Sequence, residues 1–396
     1  MNQVQAPKLS LFLFILLGAI SAITPLAIDL YLPAMPAIAD GLGTEANRVQ
    51  VTLTIYTVGF ALGQLLHGPL ADSYGRKPVL VAGVAAFGLA AIGCTFAPNI
   101  DTLIAVRAIQ GFAGAAAAVV IQAVVRDMFQ REDFARTMSF ITLVMTVAPL
   151  AAPLIGGYLS VFLGWRFIFG VLVVYAILIL VAILKYIPET LPVEKRQPLR
   201  LKSTLQNYAK LLTNKVVLGL VLCGAFSFSG MFAFLTAGSF VYIDIYGVAP
   251  EHFGYLFGLN VVTLIMMTTL NGRIVKQKGS HYMIRLGLTI QSIAGLGLLS
   301  AWVFDLGLWV IVPSVMLFVG VMSIIGSNTM ALLLEEYPSI AGTASSLAGT
   351  LRFGVGGLVG FAITLMPSEQ SWPMLVTMAF CSMLSVAFYI TLGRKA

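Results

Sequence analysis

Apolar positions along this chain come in blocks about 20 residues long, the length a helix needs to cross the hydrocarbon core of a bilayer. Short stretches rich in Gly, Pro and charge separate the blocks. The ten-residue alternation of a membrane barrel strand is not seen. Cutting at the polar stretches predicts helical spans at 9–37, 48–70, 78–97, 101–126, 137–161, 165–187, 215–243, 252–272, 282–303, 307–334, 341–366 and 373–392. The first block follows the polar segment Met1–Ser10 and runs from Leu11 to about Leu32. A secretory signal has an apolar region of only about 7–15 residues, so this block is expected to stay as the first span.

Composition agrees with lipid as the solvent. Hydrophobic residues make up 59% of the chain and charged residues 10%, with a mean hydropathy of +0.95; a soluble domain carries about a quarter charged residues. Only helices and closed barrels satisfy their backbone in lipid, so the expected fold class is an all-α membrane protein. Its twelve helices fall into two six-helix halves around a central cavity. The net charge of +7 follows from topology. With the N-terminus cytoplasmic, only Arg48 and Arg166 of the 23 Lys and Arg residues lie on the far side, and only Arg107 and Arg352 lie inside spans. Basic residues stay inside, so both termini are expected in the cytoplasm. No soluble basic face exists for nucleic acid. Cys94, Cys223 and Cys381 sit in apolar runs as packing residues. The three histidines are scattered, and no phosphate-binding loop with its lysine occurs. No metal, no cofactor and no ATP coupling are expected.

Pro188, Pro192 and Pro198 and a run of basic residues mark 188–214 as a cytoplasmic linker between an N-terminal half, 1–187, and a C-terminal half, 215–396. An internal repeat supports the division. Gly68-x3-Asp72-x2-Gly75 after the second span matches Gly272-x3-Lys276-x2-Gly279 after the eighth, and Gly156-Gly157 in the fifth matches Gly356-Gly357 in the eleventh. Such parallel repeats place a substrate site between the halves near the midplane.

The polar residues inside the spans are few. Arg107 lies in the fourth, followed on nearly the same face by Gly111 and Gly114. An intramembrane arginine faces the bundle interior or a wet cavity and takes a partner. Asp29 is the only carboxylate well inside a span, at a similar depth, and Pro33 and Pro36 are expected to bend the helix end beside it. Asp29 is therefore either the structural partner of Arg107 or a titrating group that the arginine tunes. In the loop Gly68-Pro-Leu-Ala-Asp72-Ser-Tyr-Gly75-Arg76-Lys77-Pro78 the glycines permit a tight turn and Pro78 suits a first helical turn. Arg126-Asp127, at the cytoplasmic end of the fourth span, is placed to meet Asp72 and Arg76 in an inner gate. Arg352 follows the small-residue face Ala341–Gly349, with Glu335 or Glu336, the cavity or a substrate carboxylate as its possible partners.

The Gly68–Pro78 string closely resembles the signature of the major facilitator superfamily. Ala152-Pro153-Leu154-Ile155-Gly156-Gly157 resembles that superfamily's antiporter motif, with alanine at the first glycine. Together with Asp29–Pro36, Arg107–Gly114, Trp165–Phe169, Phe226–Tyr246 and Ala341–Gly357, these segments resemble the bicyclomycin-resistance branch of drug:proton antiporters over essentially the whole chain. The resemblance implies a monomeric, multi-pass protein of a bacterial inner membrane, with small drugs and protons as its partners. It would export the drugs by alternating access, driven by proton entry, and would not be an enzyme. A proton symporter or an exporter of amino acids or dipeptides is the alternative. Asp29 and Arg107 are then the proton-coupling pair, and Tyr31, Gln110, Gln122, Phe232, Phe234, Asn328 and Arg352 are candidate cavity residues.

Overall fold

The computed structural model describes residues 11–129, 131–196, 209, 211–336 and 341–393. The expected cytoplasmic termini and about half of the expected linker, 197–208 and 210, lie outside the described residues. The described residues form α1 (Leu11–Ser21), α2 (Ile23–Asp29), α3 (Met35–Leu42), α4 (Ala46–Tyr74), α5 (Arg76–Thr95), α6 (Ile100–Met128), α7 (Arg131–Leu163) and α8 (Arg166–Tyr186). After the linker come α9 (Lys215–Ser239), α10 (Pro250–Lys278), α11 (Ser280–Val303), α12 (Leu308–Glu336), α13 (Ala341–Thr364) and α14 (Trp372–Thr391). Among the described residues, 11 helices are long and apolar enough to cross a membrane, and α1 with α2–α3 makes a bent further crossing. Leu89, Ile109, Val174, Leu178, Leu296 and Leu358 are among the many large apolar side chains left exposed. Such a surface belongs against lipid.

The first span is broken earlier than the bend expected at Pro33 and Pro36. It bends by 50° between Phe12–Ser21 and Ile23–Leu42. The cause is Pro25, which has no N–H for the carbonyl four residues back and whose ring crowds that carbonyl. A second irregularity follows at Leu32–Ala34, a single 3-10 turn that contains Pro33. There the Tyr31 N–H donates to Ile28 O at 3.2 Å. The Ala27 carbonyl thereby loses its usual helical donor, and the site below depends on that.

The repeat read from the sequence has a structural counterpart. Gly75 joins α4 to α5 at φ +108° and Gly279 joins α10 to α11 at φ +79°, both in the region that favours glycine. The two glycine pairs also occupy corresponding crossings. Gly156 presses on the Leu30 carbonyl of the first span, and Gly157 on Pro250 and Glu251 of α10. In the second half Gly356 lies against the Phe232 ring of α9, and Gly357 against Val58 of α4. A Cβ at Gly157 would stand 2.7 Å from the Pro250 carbonyl oxygen, and one at Gly357 would stand 2.8 Å from a Val58 methyl. Small residues let helices approach where lipid supplies no hydrophobic force between them.

These crossings close the bundle toward the face away from the termini. Met35 accepts a hydrogen bond from Ser239 at 3.6 Å, and Asn47 donates to Met366 O at 3.3 Å, both between the halves. Further along α7 and α10, Thr142, Leu143, Met145 and Val147 on one helix and Ile265, Met266, Thr269 and Leu270 on the other are exposed. Where the glycine seam ends, α7 and α10 leave these side chains uncovered, so the space between the halves opens toward the face where α1 begins and α14 ends.

A Gly157→Cys/Glu251→Cys pair should therefore form an intramolecular disulfide on mild oxidation, because a Cβ at 157 would lie 3.1 Å from Cα of Glu251. A Leu143→Cys/Met266→Cys pair, beyond the seam, should not. With a protease site placed in the linker, fragments that stay joined on a non-reducing gel distinguish the outcomes.

Candidate functional site

The most constrained polar group in the first half is Arg107, fully buried on α6. Gly111, one turn on, lets the α4 backbone at Tyr56 come into contact with α6. This brings the Tyr56 ring to 4.3 Å from the guanidinium carbon, while Tyr31 approaches to 4.7 Å and Phe169 to 5.8 Å. Each cation–π contact of this desolvated kind contributes on the order of 2 kcal/mol. Nη1 donates to Gln110 Oε1 at 2.8 Å and to the freed Ala27 carbonyl at 3.3 Å. The ring hydroxyls are also fixed: Tyr31 pairs with Thr52 at 2.5 Å, and Tyr56 donates to Thr24 at 3.2 Å. Nε and Nη2 have no hydrogen-bond partner among the described residues.

The expected ion pair between Asp29 and Arg107 is not formed. Asp29, 6% exposed at the end of α2, has no ion pair or hydrogen bond among the described residues. The physical reason is the broken first span, which offers Arg107 a backbone carbonyl and an aromatic face in place of the carboxylate. The first half thus holds a buried cation and a buried carboxyl that are not neutralised by each other.

The expected gate at the termini face is built around Arg76, itself buried. Its guanidinium binds Asp72 through Nη1, and Asp127 through Nε at 3.3 Å. Its backbone N–H donates to Glu189 Oε1 at 3.0 Å, and Thr190 donates to Asp127 at 3.1 Å. Arg126 is not part of it. One residue from Asp127, it points about 100° away around the helix, is exposed, and makes no ion pair among the described residues. Gly75 sits under the Glu189 carboxylate, with φ +108° and ψ 155°. Gly68, by contrast, meets only Val119 at 3.7 Å.

The antiporter-motif residues line the seam: Ala152 is fully buried, Pro153 lies within α7, and Gly156 and Gly157 make the crossings described above. The candidate cavity residues do not form one cluster. Tyr31 and Gln110 belong to the Arg107 cage. Phe234 stacks with Phe257 and meets Tyr242 at a tilt of 59°. Asn328 ties α12 to Asn271 of α10 at 2.7 Å, and Gln122 is exposed on α6. Phe232 and Arg352 do share a neighbourhood with Phe228 and Phe353. Glu335 and Glu336 are exposed near His281 and are not ion-paired with Arg352.

The sequence profile described as Major Facilitator Superfamily matches residues 17–361. The chain belongs to that superfamily. It is 43% identical over 388 residues to the bicyclomycin resistance protein homolog of Haemophilus influenzae, covering 98% of each chain. It is 28% identical to the chloramphenicol resistance protein of Pseudomonas aeruginosa, over 91% of this chain and 86% of that one. Of solved structures, a D-xylose-proton symporter is similar in fold, with a TM-score of 0.75 at 15% identity over 97% of this chain and 98% of that one. The likeness to the bicyclomycin-resistance branch is borne out at the level of sequence. As a superfamily member the protein is a multi-pass membrane transporter and not an enzyme.

Sequence reasoning missed two parts of this transporter's polar machinery. Glu189 and Thr190 follow directly on the sixth apolar run, as Pro188-Glu189-Thr190-Leu191, and a carboxylate in that place was the available signal. Tyr56 and Phe169 gave none, since aromatics within apolar spans are ordinary. Of the two signature glycines, Gly75 is the demanding one. Gly75→Ala should cost about 1–3 kcal/mol of stability, because its backbone region is almost restricted to glycine and its methyl would displace Glu189. Gly68→Ala should be neutral or slightly stabilising. Thermal unfolding of the purified variants in detergent measures both.

Proposed function

We propose that this protein exports small drugs from the cytoplasm of a bacterium in exchange for protons, by alternating access of a cavity between its two halves. The observation that carries this reading is the buried Asp29 on a broken first span, held apart from the caged Arg107 in a bundle closed at one face. A carboxyl in such a place takes up or releases a proton with a large change in its interactions, and it sits on the segment whose geometry sets the seam at Gly156. Relatives named for resistance to bicyclomycin and chloramphenicol supply the substrate class.

In this reading the distribution of Lys and Arg puts the termini in the cytoplasm and the protein, as a monomer, in the inner membrane. The conformation described here then faces inward. Substrate enters from the termini face while Asp29 is ionised. Opening toward the outside lets Asp29 take a proton as the drug leaves, and return to the inward-facing state releases that proton to the cytoplasm. Proton and drug bias the same two-state element in opposite senses, which is the thermodynamic requirement for exchange. The Arg76 network ties α4, α5, α6 and the start of the linker together, so the first half moves as one body.

In everted vesicles with an imposed pH gradient, adding bicyclomycin should dissipate the gradient. Asp29→Asn should reduce that response to the background of vesicles without transporter while still binding the drug. Full proton-driven transport by this variant would remove Asp29 as the carrier, and the absence of any proton movement in the native protein would remove exchange altogether.

A further inference from the structure

The two arginines inside the spans are built differently. Arg107 is enclosed, with Tyr31 and Tyr56 against its guanidinium and two oxygen acceptors on Nη1. Arg352 of α13 is partly buried and carries one ring, Phe228 of α9, 3.8 Å from its guanidinium carbon. It has no ion pair and no hydrogen bond among the described residues, and its Nε is buried without an acceptor. Its Nη nitrogens stand near Gly326 of α12, which has no side chain; an added methyl there would be in ordinary van der Waals contact with both, at 3.9 Å. The guanidinium therefore keeps its donor edge unspent.

A cation half-removed from water without a counter-charge is costly, and proteins retain one where an anion arrives in the working cycle. A guanidinium in particular matches a carboxylate through two parallel hydrogen bonds. The surroundings specify what the rest of the ligand would be. Phe228 packs with Phe232 at 5.3 Å and with Phe353 at 5.2 Å, and Phe353 meets Phe60 of α4 at 4.6 Å, so the aromatic surface crosses from one half to the other. One turn from Arg352, beside Gly349, the side-chain carbonyl of Gln64 on α4 is buried with no donor among the described residues. Residues three apart share a helix face, so this acceptor lies on the side of α13 that carries Arg352.

We propose that Arg352 on its Phe228 platform is an oxyanion subsite of the transport cavity, adding affinity for those substrates that carry a carboxylate or similar oxyanion on a flat, apolar body beside the uncharged ones. The proposal rests on the reading of the protein as a small-molecule transporter and adds a substrate chemistry to it. The oxyanion takes the Nη edge, the flat body lies against Phe228 and Phe353, and Gln64 accepts from a donor on the same ligand. Because Gln64 and Phe60 belong to the first half and Arg352 to the second, an occupant touches both moving bodies.

Calorimetric titration of the full-length protein in detergent tests this without any transport step. The probes are 2-naphthoate and its uncharged counterpart 2-naphthamide. The native protein should bind the acid at least about tenfold more tightly than the amide, as expected for a charge-assisted bidentate contact. Arg352→Gln should abolish that preference while changing amide affinity by less than about threefold. Arg352→Lys should retain part of it, since the charge remains and the fork is lost. Equal affinity for acid and amide in the native protein, or no binding of the acid, overturns the proposal, as does a preference that survives in Arg352→Gln. Should Arg352→Gln fail to fold, the native preference and its partial survival in Arg352→Lys decide the question. A silent bicyclomycin assay beside a successful titration would remove drug:proton exchange and leave the subsite, and the reverse pattern would do the opposite.

Discussion

Helices in lipid gain nothing from hiding apolar surface from one another, because the tails around them are equally apolar. What holds the two halves together must then be close contact, and closeness here depends on backbone without side chains. Gly156 and Gly157 on α7, and Gly356 and Gly357 on α13, bring four crossings into contact at corresponding places in the repeat. One member of each pair faces a helix of its own half and the other faces the opposite half. A single structural unit, used twice, both stiffens each half and forms the seam between them. The seam ends along α7 and α10 where exposed side chains begin, so opening toward one face is a property of how far the small residues extend.

The first span is the exception to regular helix, and its irregularity has a purpose in the packing. Pro25 bends it, and the 3-10 turn around Pro33 diverts the Tyr31 amide to Ile28. The released Ala27 carbonyl becomes an acceptor for Arg107 at the centre of the first half. In lipid a free carbonyl must find a donor within the protein, and a buried guanidinium must find acceptors. Each defect compensates the other. Asp29, left out of this arrangement, remains available for a proton, and Leu30 beside it bears on Gly156. A change at the carboxyl is therefore mechanically adjacent to the seam.

Much of this was legible in the sequence because the bilayer imposes long-period rules. Span number, the half-and-half repeat and the turn glycines Gly75 and Gly279 could be read from run length and spacing alone. The pairing of side chains could not. Asp29 and Arg107 share a depth, yet contact requires a common azimuth, and that is set by the bend at Pro25 together with the turn at Pro33, of which only the second was expected. Arg126 and Asp127 are neighbours in sequence, but the 100° step between helix positions sends only Asp127 to Arg76. Cavity residues were the least legible, because Phe and Tyr in a span look alike whether they pack, cage a cation or face a ligand.

The contrast between the two intramembrane arginines then gives the halves different work. In the exchange proposed above, one charged site stays with the protein throughout the cycle and another is completed only by cargo. Arg107 meets the first condition: its rings and acceptors are all supplied by the first half, from α2, the turn after it, α4, α6 and α8. Arg352 meets the second, since the second half gives it an aromatic face and no acceptor. Were the cargo site also given internal acceptors, an oxyanion would have to displace an existing partner, and binding would lose most of its free energy to that exchange. Leaving the donor edge without an internal acceptor avoids the competition, with the Phe228 ring stabilising the cation while it waits.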